Sequence, residues 1–365
     1  MMDELEQARM EIDRIDGDMS SLFEQRMRAV AEIAAFKAEH GLPVVDLNRE
    51  KLVLKQNARR VKDDHIRSYY VNFLNALIDV SKNYQHALLS GMHVAYCGVE
   101  GAFAWLAAQK IFPDGRLTPY PDFSSAYQSV LDGKSDCCVL PIENSYAGEV
   151  GQVLDLMFEG TLYVNGVYDM SVRHSLLGLP GTKPENIRTV LSHSQALEQC
   201  ADYIRSHGYS ADKVSNTAVA AKAVVERGDA TVAAIASSET ALLYGLQVLD
   251  HDINESDMNT TRFAVFSRAQ RSTADDNNRF LLLFTVNNVV GALAKAVNII
   301  CAHGFNMRVL RSRPVKDVPW QYYFYVEAEG DHRSDEGRRM LTELSVCCDK
   351  LKVVGHYPAD FSLIK

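Results

Sequence analysis

From Leu5 to Phe36 the positions 5, 8, 12, 15, 19, 22, 29, 33 and 36 step by threes and fours and read Leu, Ala, Ile, Ile, Met, Leu, Ala, Ile and Phe, with only Arg26 interrupting them. Such spacing is the seam of a heptad helix. At 1.5 Å per residue the helix is about 50 Å long, more than a small domain can cover by itself. The seam therefore predicts a homodimer or higher homo-oligomer in which helices of two copies cross. Gly41 and Pro43 mark the end of this helix, and Asp46 can cap a second. A third apolar pattern runs from Ile66 through Tyr70, Phe73, Leu74, Leu77 and Ile78 to Leu88. Residues 1–90 thus read as an all-α unit.

After Gly91 the texture changes. Short β-branched or apolar runs, Val94 to Cys97, Cys137 to Leu140, Thr189 to Leu191 and Val232 to Ala236, alternate with helical stretches. Residues 92–269 therefore read as an α/β domain. The polar stretch from Arg268 to Asn278 reads as a linker. Residues 279–365 follow as strand, helix, strand, strand, helix, strand, an α+β module of ferredoxin-like βαββαβ type. A chain of 365 residues has room for three such domains.

A formal net charge of -9 argues against nucleic acid or anionic membrane as a partner. Neither a basic and apolar leader nor an apolar run long enough to cross a bilayer is visible, so a cytoplasmic location is expected. Seven cysteines, among them the adjacent pairs Cys137-Cys138 and Cys347-Cys348, fit neither a disulfide framework nor zinc spacing. Eleven histidines include no HExxH pair. No metal and no cofactor is expected.

Arg26 sits in an apolar seam, where an unpaired guanidinium costs several kcal/mol. It either fixes register, as single polar seam residues do, or meets an anion. Lys37 follows three turns later on the same face, and Ser81 and Gln85 continue the stripe of Leu74 and Ile78. Together with Arg9, Asp46, Arg49 and Glu50, this set resembles the AroQ-type chorismate mutases, intertwined helical dimers, over residues 3 to 90. The resemblance implies that Arg26 binds a substrate carboxylate and that Arg9 reaches into the partner's site. It further implies that Asp46, Arg49, Glu50 and Ser81 hold the substrate and that Lys37 and Gln85 act on its ether oxygen. The rearrangement of chorismate to prephenate is pericyclic and needs no base, only a compressed dianion and donors at the breaking bond.

In the α/β part, Pro141-Ile142-Glu143-Asn144-Ser145, Ser192-His193 leading to Gln199, and Thr260-Thr261-Arg262-Phe263 all fall at strand ends. Singly they read equally well as a turn, a helix cap and a strand start. In this order they resemble prephenate dehydratase over residues 93 to 268, a fold of two lobes like those of periplasmic binding proteins with the site in the cleft. The resemblance makes Thr261 the proton donor to the leaving hydroxyl, with Glu143, Asn144, Ser192 and Gln199 holding prephenate and Arg262 assisting. The chain departs from the family at Ala102, Phe103 and Ala104, where hydroxyls follow the glycine loop, and at Ser194, where proline is common. Gly133-Lys134-Ser135 lacks the first glycine of a phosphate loop, since position 128 is Gln128.

The last module resembles the ACT regulatory domain over residues 279 to 360. Gly291, Ala292 and Leu293 with Ser312, Arg313 and Pro314 fall where that family binds phenylalanine between paired domains, although Ala294 replaces its usual valine and Arg311 its usual glutamate. The whole chain resembles the bifunctional chorismate mutase and prephenate dehydratase family. Two other readings stay open: a mutase whose second module prefers arogenate or is mainly regulatory, and a two-lobed solute sensor without catalysis.

Overall fold

The computed structural model describes residues 4–40, 42–256, 258–270, 278–316 and 318–359. The chain divides into two compact units, residues 1–93 and 94–365.

The first unit is three helices, α1 (Glu4–Glu39), α2 (Leu47–Ala58) and α3 (Asp64–Ser90). Asp46 accepts from the Arg49 amide at 2.9 Å and Asp63 from the His65 amide at 2.8 Å, so each satisfies an orphan donor of the helix it opens. Gly41, expected to end the first helix, lies outside the described residues. Val30 and Ala34 on α1 and Leu74 and Ile78 on α3 are buried. Towards its N-terminus the seam of α1 has no cover among the described residues of its own unit: Leu5, Ile12, Ile15, Met19 and Leu22 are all exposed.

The second unit begins with β1 (His93–Cys97), α4 (Phe103–Ile111), β2 (Arg116–Tyr120), α5 (Phe123–Leu131), β3 (Cys137–Asn144), β4 (Gly148–Glu149), α6 (Gly151–Glu159) and β5 (Tyr163–Ser171). The chain then crosses to a second sheet. This holds β6 (Ser175–Gly178), β7 (Thr189–Ser192), α7 (Ser194–Gln199), α8 (Ala201–His207), β8 (Ser210–Lys213), α9 (Thr217–Arg227), β9 (Val232–Ala236), α10 (Ser238–Tyr244) and β10 (Gln247–Asp250). It returns as β11 (Thr260–Ser267). The C-terminal module is β12 (Asn278–Thr285), α11 (Ala292–Ala302), β13 (Met307–Pro314), β14 (Tyr322–Glu329), α12 (Asp335–Cys347) and β15 (Lys350–Pro358).

The smaller sheet has the order β10-β6-β9-β7-β8. Its β9 is buried at every position, as a central strand covered on both faces must be. The larger runs β13-β14-β12-β15-β5-β11-β3-β1-β2, with β4 beside β3. The C-terminal module thus keeps the expected βαββαβ order but is not separate, because β15 lies parallel to β5 at Gly355 and Val164. A Cβ on Gly355 would stand 2.7 Å from the Val164 carbonyl oxygen, so the two strands can join only through a glycine. Of the expected linker, residues 271–277 lie outside the described residues.

Two details place the site. The Pro-Ile-Glu-Asn run is not a loop after β3 but its last four residues, and the register of β11 slips between Arg262 and Phe263, opposite Pro141. A bulge is where a strand tolerates a proline. The segments crossing between the sheets, 172–174 and 251–259, are zipped together by Val172 N to Asn259 O at 2.7 Å and Ile253 N to His174 O at 2.9 Å.

Candidate active sites

In the helical unit, Arg26 reaches across from α1 to α3, where its guanidinium donates to the Ser81 hydroxyl and meets the Leu77 carbonyl at 3.5 Å. Partial burial lowers its pKa from the ordinary arginine value. Ser81 and Gln85 are buried, and the Gln85 Oε1 has no hydrogen-bond partner among the described atoms. The Lys37 ammonium donates to the Val44 carbonyl at 2.6 Å. Glu50 pairs with Lys82 at 3.3 Å, a cation that the sequence pattern did not single out. Asp46 is engaged as the cap of α2, and Arg9 and Arg49 are exposed. Arg26, Ser81 and Gln85 are therefore gathered along one α1–α3 face, whereas Arg9 stands apart on the uncovered stretch of α1.

A cavity of about 330 Å³ opens between the two sheets of the second unit, lined by Phe103, Asn144, His174, Gln195, Thr217 and Thr261 among others. Strand alternation decides who enters it. Asn144 pairs with Thr261 and Glu143 with Arg262 across β3 and β11, so the first pair lines the cavity and the second faces the opposite side. The Asn144 Nδ2 donates to the Thr261 hydroxyl oxygen and to Asn259 Oδ1, both at 2.9 Å. Gln199 also lines the cavity, but its Oε1 accepts from Asn259 Nδ2 at 2.9 Å. Ser192 is fully buried and donates to the Ile235 carbonyl at 2.6 Å. Among the described residues, no lysine or arginine lines the cavity. Instead three helices start there: α4 at Ala102 and Phe103, α7 at His193 and Gln195, and α9 at Asn216 and Thr217. Ala102 gives α4 no side-chain cap, which leaves its first backbone N–H groups for a bound anion.

Glu143 and Arg262 belong to a different assembly. Arg262 meets Glu327 on β14 at 2.8 Å, Asp169 at 3.4 Å and Glu143 at 3.6 Å, while Arg311 on β13 pairs with Glu143. Burial works against the charged form of Arg262, but Glu327 outweighs it and raises the pKa above the ordinary value. Arg313 reaches Glu149 at 2.7 Å and Asp155 at 3.3 Å, and Lys316 meets Asp155 at 3.2 Å. Burial opposes ionisation of Asp155, yet the Tyr323 hydroxyl and Arg313 hold its carboxyl below the usual range. Of the expected effector residues, Gly291 opens α11 with φ 80° and Ala292 and Leu293 pack on the module's core. Ser312 and Pro314 are exposed, whereas Arg313, between them, turns into the chain.

Among the described residues, one group offers three close ligand atoms, Asp331, His332 and His356. Arg333 already pairs with Asp331 at 3.1 Å, and a guanidinium there opposes a second cation.

The family profile of prephenate dehydratase matches residues 94–271, and that of chorismate mutase type II matches residues 8–86. A bifunctional chorismate mutase/prephenate dehydratase of Aquifex aeolicus is 30% identical over 369 residues, covering 98% of each chain. Among solved structures, one described as GqqA, a novel type of quorum quenching acylase, is 32% identical with a TM-score of 0.68 and covers 73% of this chain and 98% of its own. A prephenate dehydratase from Arthrobacter aurescens in complex with L-Phe shares the fold with the same TM-score at 24% identity, covering 73% and 89%. From its first helix through its second unit, the chain belongs to the bifunctional chorismate mutase/prephenate dehydratase family of phenylalanine biosynthesis.

Proposed function

We propose that the cavity at Thr261 is where prephenate becomes phenylpyruvate. The observation that carries this is the Asn144 amide, which donates to the Thr261 oxygen and so leaves the Thr261 proton free to be given away. The substrate carboxylates lie towards the starts of α4, α7 and α9, where backbone N–H groups and helix dipoles replace the cations the cavity lacks. The bond from the ring to its carboxylate breaks, CO2 departs, and the electron pair moves through the ring to expel the hydroxyl. Thr261 protonates the departing oxygen to give water and is reprotonated by solvent. The product is aromatic, so positioning and one donor suffice. Ser192, whose hydroxyl is committed to Ile235, acts by holding β7 against β9. Its engagement also speaks against an acylase reading, which needs a free nucleophile beside a base.

In the helical unit Arg26 binds a carboxylate of chorismate, Lys37 and Gln85 attend the ether oxygen, and Asp46, Arg49, Glu50 and Ser81 set the walls. The exposed α1 seam supports a homodimer in which a second copy closes it and Arg9 reaches the partner's site.

Phenylalanine is the effector of the C-terminal module, bound at Gly291, Ala292 and Leu293 with Ser312, Arg313 and Pro314. The Arthrobacter aurescens protein that holds L-Phe has the same fold. The coupling runs through β13, whose Arg313 grips Glu149 and Asp155 next to Val150, a residue of the cavity wall. In wild-type protein, millimolar phenylalanine is expected to lower the rate of phenylpyruvate formation from prephenate. In Arg313→Ala the inhibition fades while chorismate mutase activity stays. Undiminished inhibition in this variant contradicts the coupling, and no inhibition of the wild type contradicts the effector.

A further inference from the structure

The cavity holds a residue for which the two activities have so far given no role. His174 lies where the chain first crosses from one sheet to the other. It is 2% exposed, with its ring edge-on to Phe103 at 5.5 Å. Its Nε2 stands 2.9 Å from Gln199 Oε1, and its Nδ1 is screened from solvent without a hydrogen-bond partner among the described atoms. An unsatisfied buried acceptor costs on the order of 1 to 3 kcal/mol, and one retained at a cavity asks for a ligand that completes it.

The protonation of this ring follows from the backbone. Asn144 Oδ1 accepts from the amides of Tyr146 at 3.0 Å and Ala147 at 2.8 Å, which fixes the orientation of the Asn144 amide. Its Nδ2 must then donate, so Asn259 presents Oδ1 to Asn144 and Nδ2 to Gln199. Gln199 therefore turns its oxygen towards His174, and His174 Nε2 must carry the proton. Burial lowers the pKa of His174 from its ordinary value, with the Gln199 bond working against it, so the ring is neutral and Nδ1 is a bare acceptor. The chain Thr261–Asn144–Asn259–Gln199–His174 thus ends in two unlike groups at one cavity: a hydroxyl with a proton to give and a nitrogen with only a lone pair.

We propose that His174 Nδ1 accepts a hydrogen bond from the hydroxyl of the substrate, turning the oxygen of that hydroxyl towards the Thr261 proton. A lone pair there repels carboxylates, so the same atom directs the hydroxyl end of the substrate to the crossing segments and the carboxylate ends to the helix starts. This rests on Thr261 as the proton donor. Of the groups around the imidazole, Phe103, Gln199 and Asn254 are uncharged, and among the described residues His193 is the other titratable side chain lining the cavity. The neighbouring Arg173 is paired with Asp252 at 3.2 Å.

The test compares His174→Asn, His174→Gln and His174→Ala in the full chain, with kcat/KM for prephenate as the readout and chorismate consumption as the internal standard. Asparagine can place its oxygen near the Nδ1 position, whereas glutamine reaches the Nε2 position. The expected order is wild type, then Asn, then Gln and Ala, the last two down by about 100-fold. As pH falls below the ordinary histidine range near 6.5, the wild-type kcat/KM should fall as Nδ1 gains a proton, and the Asn variant should lack that limb. If Gln equals or exceeds Asn, His174 serves only its link to Gln199 and the proposal fails. It fails too if Asn keeps the acid limb, because a group other than His174 then produces it. Thr261→Val, assayed beside these, reads the donor assignment by itself.

Discussion

Thr261→Val is expected to lower kcat for phenylpyruvate formation by roughly 100- to 10,000-fold, the range of a lost general acid. Chorismate mutase activity should not change, because that site lies in a separately folded unit. Valine matches threonine in shape, so the β11 strand and its pairing with β3 should persist. What disappears is the proton that the Asn144 bond leaves free. The loss should fall on kcat more than on KM, since the proton moves only as the carbon–oxygen bond breaks. Thr261→Ser, which keeps the hydroxyl, should recover most of the rate. If the valine variant converts prephenate within a few-fold of the wild type, the donor is another group and the cavity mechanism is wrong.

The second large effect is expected at the other site. Arg26→Ala should lower kcat/KM for chorismate by about 100-fold or more, as the dianion loses the group proposed to place it in a reactive conformation. Removing the guanidinium also leaves the buried Ser81 hydroxyl with one partner fewer, so some stability is lost with it. Arg9→Ala should be impaired as well, for a different reason: in the proposed dimer Arg9 completes the site of the other copy. Mixed dimers of the two variants contain one site with both arginines intact, so mixing should restore part of the mutase activity. Absence of recovery on mixing, with dimers shown to exchange, contradicts a shared site.

The helical unit was legible because a three-and-four repeat has few other solutions, and its lack of internal cover could be read from length alone. The C-terminal order was legible from its alternating periods. Its fusion to the central sheet was not, since nothing in the pattern around Gly355 distinguishes a close strand approach from an ordinary turn glycine.

Site residues were legible as motifs but not as faces. Asn144 and Glu143 are neighbours in one run, yet a two-residue period sends the first to the cavity and the second to Arg262 and Arg311. The same alternation divides Thr261 from Arg262 and Ser312 from Arg313. A strand reading extended through Pro141 would have exposed this, and the slip in register between β3 and β11, Arg262 opposite Glu143 and Phe263 opposite Pro141, accommodates the proline. His174 and Asn259 escaped notice because each is a lone polar residue in a connecting segment. Only pairing across 60 residues, Asn259 with Gln199, and 25 residues, His174 with Gln199, brings them to the cavity. The departure at Ala102 and Ala104 also looks different once the fold is known, because the uncapped start of α4 offers backbone donors where hydroxyls are missing.

The decisive measurement is a time course with the purified protein and chorismate alone, following chorismate loss and phenylpyruvate appearance as separate signals, with arogenate tested in parallel. Two working sites predict that chorismate falls, prephenate passes through a transient maximum and phenylpyruvate rises to match the chorismate consumed, with arogenate converted more slowly. Prephenate that accumulates without phenylpyruvate, while arogenate is consumed or nothing is, would contradict it.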